Sequence, residues 1–149
     1  MKLLIESGAV VNKGITNNGN TALHISAFHG HTEIAKVLIQ NCANVNAVNY
    51  DKETALHHAC ELKKTAVAKI LIENGGDVNA EDNSKRTPFI FTSMYDSVDI
   101  MKILLCHNAN MHCFDIHGKS AFVYCTFVSS LTHSLTHSLS LSTLEHRYG

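Results

Sequence analysis

Thr21-Ala22-Leu23-His24, Thr54-Ala55-Leu56-His57, Thr87-Pro88-Phe89-Ile90 and Ser120-Ala121-Phe122-Val123 start at successive intervals of 33 residues in a chain of 149. A tetrapeptide that returns at a constant interval marks a tandem array, whose units are too small to bury an apolar side alone and do so against their neighbours. The interval holds beyond the tetrapeptide. Leu38, Leu71 and Leu104 each follow the Thr of their unit by 17 residues, inside the apolar runs Val37-Leu38-Ile39, Ile70-Leu71-Ile72 and Ile103-Leu104-Leu105. With Ile34, Ala35, Ala68 and Ile100 they give the i, i+3, i+4 spacing that predicts an outer helix with one buried stripe. Upstream of it, Ile25-Ser26-Ala27 and His58-Ala59-Cys60 predict a shorter inner helix whose small side chains let two helix layers approach. Leu23, Leu56, Phe89 and Phe122 are its expected core residues. The Thr that opens each inner helix is an N-cap, worth about 1 kcal/mol. Pro88 alone occupies the favoured first helical position.

A 33-residue period carrying a Thr-Pro-Leu-His-like tetrapeptide resembles the ankyrin repeat, and the resemblance covers residues 1 to 128. It implies an all-α fold, an ankyrin-repeat solenoid of stacked helix-turn-helix units with β-turn fingers. The expected division is a partial unit at 1–16, units at 17–49, 50–82 and 83–115, a partial unit at 116–128, and a tail at 129–149. By resemblance His24 and His57 bond to their Thr and to neighbouring backbone, which Ile90 and Val123 cannot do, so units three and four are expected to be less rigid. The family's glycine at the end of the outer helix is here Gly8, Cys42, Gly75 and Asn108. Its glycine between the helices survives only as Gly30, with Lys63 and Asp96 elsewhere, and the fingertip glycine is present as Gly19 and Gly118 but replaced by Lys52 and Lys85. One residue is inserted in the first finger, expected around Asn17-Asn18-Gly19-Asn20. The tail repeats Ser130-Leu131-Thr132-His133 as Ser134-Leu135-Thr136-His137. Val128, Leu131, Leu135 and Leu139 line one face if it is helical, while its Ser and Thr content favours a mobile tail. Neither end carries the polar face of a terminal repeat, so the chain is expected to be a segment or truncated product of a longer ankyrin protein.

Composition narrows the function classes. Twelve Lys+Arg against 13 Asp+Glu give a net charge of −1, which offers no drive toward nucleic acid or an anionic membrane. Five cysteines (Cys42, Cys60, Cys106, Cys113, Cys125) without a CxxC pair point to a reducing, cytoplasmic setting, the nucleus being the alternative. The run Leu3-Leu4-Ile5 is too short for a signal peptide, and no stretch has the length of a membrane span. Cys106, His107, His112, Cys113 and His117 lack the paired spacing of a zinc site, and His133 with His137 lacks the glutamate of a metalloprotease motif, since Ser134 stands there. No nucleophile with its base, phosphate loop or carboxylate pair is present, and Cys60 and Cys125 fall at core positions. The expectation is no enzyme, no cofactor and no metal.

What remains is a surface. By resemblance, partners lie against the concave side built from finger tips and exposed inner-helix positions. The inner-helix positions before the family's turn glycine are Phe28-His29, Glu61-Leu62 and Met94-Tyr95. The fingertip positions are Tyr50, Asp51 and Glu53, then Asn83, Ser84 and Arg86, then Ile116, His117 and Lys119. Phe28, Tyr50, Leu62, Met94, Tyr95 and Ile116 form an apolar strip of the kind that supplies binding hot spots, unless they pack on their neighbours. A monomer binding one protein partner is the expected function, as a scaffold or adaptor. The alternatives are a regulatory or targeting ankyrin segment of a larger enzyme or channel, and a truncated product with no function of its own. Separately, Leu71 with Asp77-Val78-Asn79 is similar to the ankyrin sequences that an asparaginyl hydroxylase of animal cells modifies, which makes Asn79 a candidate modification site; Asn46 matches less well.

Overall fold

The computed structural model describes residues 11–125. Over that range the chain forms helices α1 (Ala22–His29), α2 (Thr32–Gln40), α3 (Ala55–Glu61), α4 (Thr65–Glu73), α5 (Pro88–Met94), α6 (Val98–Cys106) and α7 (Ala121–Tyr124), and no strand. One isolated antiparallel bridge joins Phe114 to Ser120. The inner helices α1, α3, α5 and α7 pack one on the next, the outer helices α2, α4 and α6 do the same, and α1, α3 and α5 each pack on the outer helix that follows them. The result is a stack of helix-turn-helix units. Residues 1–10 and 126–149, with Gly8, the tail residues Val128, Leu131, Leu135 and Leu139, and the pair His133 and His137, lie outside the described residues.

The stack holds together through equivalent apolar positions. Leu38, Leu71 and Leu104 are almost fully buried, one in each outer helix, and each contributes about 1.5–3 kcal/mol of burial. Ala27 and Ala59 of the inner helices and Ala35 and Ala68 of the outer ones are completely enclosed. Any larger side chain there would force the two layers apart. Leu23, Leu56 and Phe89 are core residues as expected. Phe122 is not: its ring is 67% exposed. The equivalent Leu56 and Phe89 belong to helices with another described unit stacked beyond them, whereas α7 packs back on α5 at the end of the described residues.

The capping chemistry ties each unit to the next. Thr21 N–H donates to His24 Nδ1 (3.1 Å), Thr21 Oγ1 pairs with the same nitrogen (2.8 Å), and His24 Nε2 lies 2.9 Å from the carbonyl oxygen of Glu53 in the following unit. Since Nδ1 accepts, the proton of the neutral ring sits on Nε2 and donates to that carbonyl. His57 repeats the pattern with Thr54 and the Arg86 carbonyl at 3.1 Å. In the third unit Ile90 replaces the histidine and is wholly buried, while Thr87 Oγ1 accepts the Ile90 N–H directly at 3.4 Å. Apolar packing stands there in place of the inter-unit bond.

Where the family prefers glycine, the backbone keeps its left-handed turn whatever residue is present. Cys42, Lys52, Lys63, Lys85, Asp96 and Asn108 all have φ between 54° and 64°. Stacking therefore imposes a conformation that costs a residue with a Cβ about 1 kcal/mol. The first finger carries a register shift. Asn44 N–H donates to Asn12 Oδ1 as Asp77 N–H donates to Asn46 Oδ1, and Asn20 N–H donates to Thr16 Oγ1 as Glu53 N–H donates to Asn49 Oδ1. Asn12 and Thr16 are thus the counterparts of Asn46 and Asn49, and the extra residue lies among Lys13, Gly14 and Ile15. This corrects the expected position at 17–20. Insertion there leaves the turn of the fingertip intact and is absorbed where Ile15 N–H bonds to the Asn20 carbonyl.

Two outcomes follow from this bonding. Burial lowers the His57 pKa from 6.5 to about 4, opposed by its bond to the Arg86 carbonyl, and burial lowers that of His24 as well. Folded-state values below the unfolded value mean that the contribution is complete above pH 6.5 and is lost as the pH falls toward 4, by about 3 kcal/mol for His57 alone. Denaturant unfolding at pH 7.5, 5.5 and 4.5 (pH values about one to two units either side of the histidine range) should show that decline; a level profile would rule it out. Lys63→Gly, which releases the strained turn between α3 and α4, should raise stability by roughly 0.5–1 kcal/mol in the same assay.

Candidate partner-binding surface

The fingers are pinned by side chains that the sequence reading passed over. Asn49 Oδ1 accepts from the Asp51 and Glu53 amides, Asp82 Oδ1 from those of Ser84 and Arg86, and Asp115 Oδ1 from those of His117 and Lys119. Each loop is closed by one short acceptor. Their signal was available, because Asn49, Asp82 and Asp115 stand at the same 33-residue interval as the tetrapeptides. Finger also bonds to finger: Tyr50 N–H donates to the Asn18 carbonyl (3.0 Å), Asn83 N–H to Asp51 (2.9 Å) and Ile116 N–H to Ser84 (2.9 Å). With backbone and acceptor side chains so engaged, the remaining fingertip side chains project from a fixed frame.

Tyr50, Asp51, Ile116 and His117 are exposed at the fingertips, Tyr50 at 75%. The Tyr50 ring lies over Gly19, where φ is 78° and a Cβ would come within 2.8 Å of the ring. Glu53 and Arg86 are half-buried at the base of their fingers. Phe28 and His29 are exposed at the end of α1, Glu61, Leu62 and Met94 are half-buried, and Tyr95 is exposed just after α5. Met94 packs against the core, so it belongs more to the fold than to the surface.

Two residues absent from the sequence expectation link part of this set. His58 of α3 lies edge-on to Phe28 (centroids 6.1 Å apart) and to His24 (5.7 Å), with Nε2 3.8 Å from Glu53 Oε2 and Nδ1 3.9 Å from Glu61 Oε2. Phe91 of α5 lies edge-on to His57 at 5.0 Å, beside Tyr95 at 5.9 Å, and under the Arg86 guanidinium at 4.8 Å. Arg86 also forms a 2.6 Å ion pair with Asp82. Partial burial and then the Glu61 carboxylate hold the Tyr95 phenol above its ordinary pKa. Phe28, Glu53, Glu61, Arg86 and Tyr95 therefore belong to one connected set; Tyr50, Asp51, Leu62, Ile116 and His117 have no ring or ion-pair contact with it. His58 and Phe91 occupy the same place in their units, four residues after the Thr, where Ile25 and Tyr124 stand in the others. Change of residue type at a fixed place hid that position from a search for constancy.

Among the described residues no group of three His, Cys, Asp or Glu side chains is placed to hold a metal ion, and no helix is long and apolar enough to cross a membrane. Burial pushes the Cys60 thiol far up, which keeps it protonated and unreactive. Asn79 is exposed on the segment after α4, and its Oδ1 accepts the Asn110 N–H at 2.7 Å.

A stack of helical hairpins joined by bonded fingers, each unit leaning on the next, defines a repeat solenoid. A family model described as ankyrin repeats (3 copies) matches residues 1–82, more than half of the chain, and the chain belongs to that family. The match ends before α5, yet α5 and α6 continue the same packing. No curated protein matches the chain. Ankyrin repeats are in general protein–protein interaction modules and are typically non-catalytic.

Proposed function

We propose that this chain is a scaffold or adaptor that binds one protein partner on the concave side of its stack, through the inner-helix ends and fingertips. The supporting observation is the exposure of Phe28, Tyr50, Tyr95 and Ile116, the last three with their backbone N–H groups hydrogen-bonded and Phe28 on a helix, while apolar residues of the seam are buried. Large aromatic side chains held out on a rigid frame lose little conformational entropy on binding and supply contact area. Unit boundaries at residues 17, 50, 83 and 116, a monomeric state and a cytoplasmic or nuclear location complete this reading. The same surface also serves a regulatory or targeting segment of a larger protein, where the partner is an enzyme or channel domain.

Phe28→Ala combined with Tyr50→Ala tests it. Neither ring belongs to the buried seam, so the melting curve should stay within about 2 °C of the parent, while affinity for partners recovered with the full chain should fall at least about tenfold, the loss of one modest hot spot. Unchanged affinity would remove this face from consideration.

Asn79 supports a second, separate reading as a site of hydroxylation. Its exposure favours access, and the side-chain bond to Asn110 N–H has to open for an enzyme to reach it. Peptide mass spectrometry of chain expressed in animal cells should show one added oxygen on the peptide containing Asn79; its absence there ends the proposal.

A further inference from the structure

At the base of each finger, the residue before the Thr faces the acceptor that closes the loop. In the third unit this pair is Arg86 with Asp82, a 2.6 Å ion pair; in the fourth unit Lys119 gives Asp115 its backbone N–H, and its ammonium lies over the Tyr124 ring. The second unit differs. There Glu53 faces Asn49, whose amide donates to Glu53 Oε2 at 3.1 Å, so the carboxylate meets a neutral group in its own finger and feels the Arg86 charge only beyond ion-pair distance. Its side chain is only 16% exposed, and that of Glu61, on the far side of His58, is 31% exposed. No lysine or arginine among the described residues pairs with either one. Two partly desolvated carboxylates without an ion-pair partner of their own are better stabilised when a cation arrives from outside.

His58 points to the same place independently. Its side chain is more than nine-tenths buried, yet neither ring nitrogen has a hydrogen-bond partner. Nε2 faces Glu53 and Nδ1 faces Glu61 across 3.8 and 3.9 Å, gaps too long for a direct bond. In its neutral form the ring has one N–H and one lone pair, and one of its nitrogens then turns a lone pair toward a carboxylate. A donor nitrogen placed about 2.9 Å from both acceptors satisfies them together. Phe28, 44% exposed, lies edge-on to His58, and Tyr95, 36% exposed, interacts with Glu61, so two rings of a kind that suits a cation border this floor.

We propose that the patch framed by Phe28 and Tyr95 over Glu53, His58 and Glu61 receives a lysine or arginine side chain from a basic segment of the partner protein. This rests on the interaction surface proposed above and adds its chemistry. An organic cation fits better than a metal ion, since no third ligand converges with His58 and a glutamate among the described residues. Arginine suits it best, because its planar fork serves two acceptors while lying against an aromatic face.

The probe is a phage-displayed library of random dodecapeptides, selected on the full chain, with one selected peptide then made in arginine and citrulline forms. Citrulline keeps the shape and most donors of arginine but not its charge. Selected peptides should share a basic residue, and citrulline in its place should weaken binding to the parent at least about tenfold but to Glu53→Gln/Glu61→Gln by about twofold or less. An equal loss on both proteins, or no loss on either, overturns the proposal. Peptides that bind through Phe28 and Tyr50 without a basic preference also overturn it and leave the interaction surface standing. Peptides indifferent to Phe28→Ala/Tyr50→Ala, or a selection that yields no binder, overturn both.

Discussion

The bond from His24 Nε2 to the Glu53 carbonyl, repeated from His57 to Arg86, sets the register on which the rest of the stack depends. Apolar burial along the seam is strong but without direction, and leucines on successive helices would tolerate a slide of one layer past another. A hydrogen bond does not. Because its acceptor is the residue just before the next Thr, the bond from one inner helix locates the start of the following one. On the other edge of the stack the asparagines act in the same sense, Asn12 receiving the Asn44 amide, Asn46 that of Asp77 and Asn79 that of Asn110. Between the first three units, where both rows are present, each unit has one place to sit.

That constraint explains why the turns keep left-handed geometry without glycine. Lys52, Lys63 and Lys85 hold φ values near those of Gly19 and Gly30 because the bonds on both sides of each turn leave no alternative path. Strain of this size is small beside the burial of Leu71 and its equivalents, so the seam prevails. Local preference yields to stacking.

Much of this was legible in the sequence because repetition turns one weak signal into several coincident ones. The interval of the Thr residues, the outer-helix leucines and the histidine bonds were all readable, since buried positions tolerate few residue types and therefore look alike from unit to unit. Phe122 was misplaced for the complementary reason: its type matched Phe89, but burial depends on what packs beyond it, which the residue itself does not encode. The closing acceptors Asn49, Asp82 and Asp115 were present in the same register but went unrecognised among other polar loop residues. His58 was harder to see. Its place alternates among Ile25, His58, Phe91 and Tyr124, and only the fold shows that this changing residue forms the floor between two carboxylates.

Constancy and variation are thus divided within single residues. Glu53 and Arg86 both give their carbonyl oxygens to the histidine of the preceding unit, a task that any side chain permits. Their side chains are consequently free to differ, and they differ in sign. Arg86 is neutralised by Asp82 and rests on Phe91, whereas Glu53 meets the uncharged Asn49 and the unpartnered ring of His58. A frame fixed through backbone bonds lets neighbouring units carry opposite charges at no cost to register, so the pattern of charge along this face is independent of what holds the stack together.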